Sequence, residues 1–81
     1  MKTSIDISYY PLNQEYKVPI KDFINDLKKY DNIVVKPNNM STQVFGEYDD
    51  IMKAVTACIR NAFELPDSTF VLKIVNMDRD K

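Results

Sequence analysis

Residues 3 to 10, Thr-Ser-Ile-Asp-Ile-Ser-Tyr-Tyr, alternate strictly between two kinds of side chain. In an extended chain Ile5, Ile7 and Tyr9 fall on one side, and Ser4, Asp6, Ser8 and Tyr10 on the other. A strand of this kind has one face to bury and one polar face left over. The apolar face needs a second layer, and the rest of the chain must supply it.

The periodicity then switches. Pro11 stops the strand, and Leu12 to Lys17 read as a polar loop. Pro19 suits the first turn of a helix, where a missing N–H costs nothing. Ile20, Phe23, Ile24, Leu27 and Tyr30 follow at the spacing of one helical face. Asp31-Asn32 breaks that helix, and Ile33-Val34-Val35, closed by Pro37, reads as a short edge strand. Residues 40 to 46 read as a third strand, with Thr42 and Val44 on one face and Ser41, Gln43 and Phe45 on the other. Glu47, Asp49 and Asp50 put negative charge where a second helix begins. Its apolar stripe is Tyr48, Ile51, Met52, Val55, Cys58, Ile59, Ala62 and Phe63, and Leu65-Pro66-Asp67 ends it. Thr69 to Met77 is β-branched and apolar, a last strand before the charged tail Asp78-Arg79-Asp80-Lys81.

The order is therefore β-α-β-β-α-β, the split βαβ arrangement. It predicts an α+β, ferredoxin-like βαββαβ sandwich: a four-stranded antiparallel sheet with two helices on one face. Right-handed crossovers place strands one and three at the centre, with strands two and four outside. Residues 1–81 are read as one such domain. Glycine occurs once, at Gly46, so tight turns must rely on Asn, Asp and Pro. Gly46 itself marks a close backbone approach or a bulge at the end of strand three.

Composition removes most catalytic chemistries. There is no histidine, which excludes Ser-His-Asp and Cys-His nucleophilic sites, and no CxxC or HExxH metal motif. No cofactor is implied. Glu47, Asp49 and Asp50 are read as helix-start electrostatics rather than a metal site, and Asn38-Asn39 as a turn. The lone cysteine, Cys58, rules out an internal disulfide, sits on the helix stripe as a core residue and suits a reducing cytoplasm. Eleven Lys or Arg against twelve Asp or Glu, with no basic block, argue against nucleic acid. No apolar run reaches the ~20 residues of a membrane span, and the N-terminus shows no signal peptide. The expectation is a small soluble domain with very little catalytic equipment.

What remains is the polar face. Asp6, Ser8 and Tyr10 of strand one and Ser41, Gln43 and Phe45 of strand three lie side by side at the centre of the sheet. Strand four is apolar on both faces, with Phe70, Leu72 and Ile74 against Val71, Val75 and Met77 and Lys73 among the latter. Such a strand expects cover on both sides. One chain has helices for only one, so a homo-oligomer is the economical cover. Asp6 would then be enclosed and need a cation or several donors, while Tyr10 and Phe45 supply aromatic walls suited to a flat organic cation. The alternatives are an Asp6 facing water, or one paired with Lys73 or a neighbouring subunit's Arg.

Three segments resemble the thiamine-binding family of small bacterial and archaeal ferredoxin-like proteins. Ile5-Asp6-Ile7-Ser8-Tyr9-Tyr10-Pro11-Leu12 is similar to the family's opening strand and Pro-Leu stop. Asn39-Met40-Ser41-Thr42-Gln43-Val44-Phe45-Gly46-Glu47 resembles its Met-(Ser/Gly)-Thr-x-(Val/Ile)-x-Gly-(Asp/Glu) signature, and the charged tail is similar to that of several members. The family's usual Gly-Thr after Pro-Leu is replaced here by Asn13-Gln14. The resemblance implies a non-enzymatic cytoplasmic protein that binds thiamine or its hydroxymethylpyrimidine half and forms dimers or tetramers. It also implies ligand contacts from Asp6, Ser8, Ser41 and Thr42.

On this reading Asp6 accepts from the exocyclic amine or faces the thiazolium cation, Ser41, Thr42 and Gln43 satisfy ring nitrogens, and Phe45 and Tyr10 stack on a ring. Thr42 alternates to the helix side, so a structural role is open to it, as core or interface roles are to the two aromatics. With only Lys73 near the cluster, no diphosphate clamp is expected and unphosphorylated ligands are favoured. Other proteins of this topology fit less well. An acylphosphatase-type enzyme needs an Arg- and Gly-bearing phosphate loop that Asn13-Gln14-Glu15-Tyr16 lacks. An RNA-recognition module would not place Asp6 between its aromatics. An amino-acid-sensing domain has a Gly-rich first turn. The alternative that remains is an oligomeric interaction protein with no small-molecule ligand.

Overall fold

The computed structural model describes residues 1–12 and 15–80. Six elements follow the expected order: β1 (Lys2–Pro11), α1 (Lys17–Leu27), β2 (Ile33–Pro37), β3 (Thr42–Glu47), α2 (Tyr48–Ala62) and β4 (Ser68–Val75). The strands form one antiparallel sheet in the order β2-β3-β1-β4, which puts β1 and β3 at the centre as expected. The fold is the α+β, ferredoxin-like βαββαβ sandwich.

Ile5, Ile7 and Val44 from the sheet meet Phe23 and Leu27 of α1 and Ile51, Ala54, Val55 and Cys58 of α2 in one buried core. At one end of it Tyr9 stacks on Phe70, with ring centroids 4.2 Å apart, and both rings touch Phe23. Cys58 is buried there, and desolvation pushes its thiol up to about 11, with the nearby Asp26 carboxylate acting in the same direction.

Of the boundaries that differ from expectation, three have a clear local reason. The first helix ends at Leu27, not Tyr30, although Tyr30 still packs against the core after a turn that ties its amide to the Leu27 carbonyl. Strand three begins at Thr42 rather than Met40, because the Asn38 carboxamide oxygen accepts from the amides of both Met40 and Ser41 and holds them in the turn. The last strand ends at Val75, short of Met77, because the Met77 carbonyl accepts from the Ser4 hydroxyl at 2.6 Å.

Turn chemistry follows the shortage of glycine. Asn38 makes the β2–β3 turn, and Asp67 adopts the left-handed φ of 62° that admits β4. At Gly46 (φ 157°) an added Cβ would lie 3.4 Å from the Asn32 carbonyl oxygen, a close approach between β3 and the start of β2. Glu15 and Tyr16 lie just before α1, while the Asn13-Gln14 part of the expected loop falls outside the described residues.

Candidate functional site on the open sheet face

The registers lay the side chains of the open face out in rows across the strands. One row runs Lys36, Gln43, Asp6, Lys73 from β2 to β4. The adjacent row runs Val34, Phe45, Ser4, Val75. A polar row bearing one carboxylate and two ammonium groups therefore borders an apolar one. The helix-covered face has no such row among its buried positions, where Thr3 and Thr42 are the polar members.

The middle of the apolar row, Phe45 and Ser4, is covered by the chain's own C-terminal segment. After β4 the backbone turns inward, and the Ser4 hydroxyl donates to the Met77 carbonyl at 2.6 Å while accepting from the Arg79 amide at 2.9 Å. Farther along, Asp80 pairs with Lys36 on the opposite edge strand. The segment thus spans from β4 past β1 to β2. Phe45, on the open face by alternation, is only 6% exposed as a result. The Lys36 ammonium sits 5.8 Å from the centre of its ring.

Where this cover meets the polar row there is a pocket of about 210 Å³. Its lining includes Asp6, Gln43, Phe45, Lys73 and Arg79, with Ser4 at the tail's attachment. Asp6 is half-buried, and its carboxylate accepts a 2.6 Å hydrogen bond from the Ser41 hydroxyl. Lys73 stands across the β1–β4 pair from Asp6, yet among the described residues the two form no ion pair within 4 Å. Asp6 thus keeps acceptor capacity beyond its bond to Ser41.

The structure sorts the expected site residues into three groups. Asp6, Gln43 and Phe45 line the pocket, and Ser41 bonds to Asp6 from just outside it. Ser8 and Tyr10 share the open face but lie toward the far end of β1, opposite Val71 and Thr69, with Tyr10 53% exposed. Thr42 pairs with Ile7 on the helix side and is buried there, away from the pocket. Arg79 and Ser4 were missing from the expected set. Ser4 carried a signal, since it shares the Asp6 face; Arg79 carried none, because a charged tail has no periodicity to place it.

A larger opening of about 880 Å³ lies between the two helices, lined among others by Phe23, Asp26, Lys29, Cys58 and Asn61. Within it Lys29 donates to Asp26 at 3.3 Å, and the thiol facing it is held protonated by burial. Asp22 and Glu64, the other carboxylates at its lining, are exposed, unlike the half-buried Asp6. Among the described residues there is no cluster of metal-ligating side chains, and no helix is long and apolar enough to cross a membrane.

No family model and no curated protein matches this chain. Solved structures do. A hypothetical protein from Methanocaldococcus jannascii is 26% identical, with a TM-score of 0.82 over 99% of this chain and 84% of its own. A Streptococcus pneumoniae protein is 23% identical, with a TM-score of 0.87 over 98% and 90%. A structure described as a putative thiamine biosynthesis/salvage protein from Thermotoga maritima is 19% identical, with a TM-score of 0.80 over 91% and 82%. These likenesses establish a shared fold over nearly the whole chain.

Proposed function

We propose that this chain binds hydroxymethylpyrimidine or thiamine in the open-face pocket, without catalysing a reaction on it. The observation that carries the reading is the half-buried Asp6 carboxylate, held by Ser41 and flanked by Gln43 and the Phe45 ring inside one small cavity. An aminopyrimidine presents a donor amine and acceptor ring nitrogens on a flat apolar plate. A carboxylate, a carboxamide and an aromatic wall are the complementary set. The resemblance of the Met40–Glu47 segment to the thiamine-binding signature points the same way, as does the salvage role in the Thermotoga neighbour's description.

Size and charge favour the pyrimidine half. The cavity falls below the ~300–1,000 Å³ usual for a drug-sized ligand. Lys73 and Arg79 at its rim repel a thiazolium cation. A binding role rather than a reaction is supported by the lack of histidine and by a thiol that burial keeps protonated.

The working form is a homo-oligomer, dimer or tetramer, in the cytoplasm. Val71 and Val75 stand 50% and 36% exposed on the same open face, an apolar strip that a second copy would cover while closing the pocket. Calorimetric titration with hydroxymethylpyrimidine and thiamine, with light scattering on the same sample, tests the reading. The expected result is saturable, micromolar or tighter binding to an oligomer, with the pyrimidine at least as tight as thiamine. A folded protein that binds neither would overturn it and leave an interaction protein without a small ligand.

A further inference from the structure

The pocket contains two cationic side chains that a neutral aminopyrimidine does not use. Lys73 enters from β4 and Arg79 from the C-terminal segment, so the two come from separate parts of the chain and converge on one cavity. Neither forms an ion pair within 4 Å among the described residues, whereas Lys36, in the same row as Lys73, is paired with Asp80. The placement of Arg79 is fixed rather than left to a loose end. Its backbone amide donates to the Ser4 hydroxyl at 2.9 Å, and that hydroxyl in turn holds Met77. Against the two cations stands one carboxylate, Asp6, with one oxygen already bound to Ser41. The lining therefore carries a net positive charge.

We infer that the open-face pocket has an anion subsite formed by Lys73 and Arg79, and that its ligand is a phosphate monoester of a planar aminopyrimidine. This rests on the pyrimidine-binding reading above and revises the expectation of an unphosphorylated ligand, which saw only Lys73. The ring lies between Asp6 and Phe45. The hydroxymethyl substituent points to the rim, and the phosphate it carries meets both cations. A phosphate monoester bears about −1.5 to −2 charge near neutral pH and offers three acceptor oxygens. The planar Arg79 guanidinium can hold two of these side by side, while Lys73 supplies a point charge. The pocket is too small, and its cations too few, for a diphosphate together with a second ring.

The test compares hydroxymethylpyrimidine, its phosphate ester and inorganic phosphate by equilibrium dialysis against the full chain, at low and high salt. The ester is expected to bind at least about tenfold tighter than the alcohol, and the preference to shrink at high ionic strength as the pair is screened. Inorganic phosphate alone is expected to bind far more weakly than the ester. Lys73→Gln and Arg79→Gln, both at exposed positions, should each remove most of the preference for the ester over the alcohol. Equal binding of ester and alcohol would overturn the anion subsite and leave the pyrimidine reading standing. A preference that survives both variants would overturn its assignment to these residues. Inorganic phosphate binding as tightly as the ester, or no binding of any of the three, would overturn the pyrimidine reading itself.

Discussion

β1 shows one backbone serving two faces, and the two faces are built on different terms. On the helix side Ile5 and Ile7 are 1% exposed and locked among residues of α1, α2 and β3. On the open side Asp6 is half-buried, Ser8 is half-buried and Tyr10 is largely exposed. The first face is closed by two amphipathic helices, whose burial scales with apolar area. The second is closed at one end only, by a few residues of irregular chain held through the Ser4 hydroxyl and the Lys36–Asp80 pair. Stability is concentrated in the first face. Polar groups able to engage a ligand are concentrated in the second, under a cover that a few hydrogen bonds secure.

The largest expected effect lies on the helix face. Leu27→Ala, at a position with 0% exposure, should cost about 2–5 kcal/mol in urea unfolding, the range for large-to-small changes in packed cores. It should leave the ligand's affinity unaltered in the fraction that stays folded. A cost below 1 kcal/mol would mean that the helices do not carry the stability assigned to them.

A pH dependence of the same face comes next. The Cys58 thiol is raised from 9.0 to about 11 by burial, so the native state keeps its proton while the unfolded chain releases it. The stability from that protonation is fully present below about pH 9 and is lost as pH rises toward 11. The full effect is on the order of 2 kcal/mol. Unfolding midpoints measured across that interval should fall more steeply for the native chain than for Cys58→Ala; parallel curves would show that the thiol is not desolvated.

The open face should respond the other way round. Asp6→Ala is expected to weaken pyrimidine binding by about 1–3 kcal/mol, the scale of a hydrogen bond to a charged group, while unfolding changes much less than in Leu27→Ala. Unchanged affinity would remove Asp6 from the site. Ser4→Ala is milder, with a stability loss of about 1 kcal/mol. Its sharper signature is faster amide hydrogen exchange at Arg79 and greater exposure of Phe45. Without that local change, the segment over the sheet does not depend on Ser4.

These contrasts also explain what could be read from the chain beforehand. Alternation at Ile5, Asp6 and Ile7 and helical spacing at Phe23, Leu27, Ile51 and Val55 report burial directly, and burial is what builds the sheet and its helices. The same alternation put Asp6, Gln43 and Phe45 on one face and Thr42 on the other, as found. The path of residues 76–80 was not legible. It depends on one serine hydroxyl meeting a carbonyl and an amide more than seventy positions away, which leaves no periodic trace. Arg79's presence in the pocket came with that path, which is why alternation placed the floor and Lys73 but not Arg79.

The central claim is that the open face, rather than the wider groove between the helices, is where a ligand binds. Mapping backbone amide NMR shifts during titration with hydroxymethylpyrimidine tests it directly. The account predicts saturable shifts at Asp6, Gln43, Phe45, Lys73 and Arg79, with Phe23, Lys29 and Asn61 unmoved. Shifts centred on Phe23, Lys29 and Asn61, with Asp6 and Arg79 silent, would contradict it.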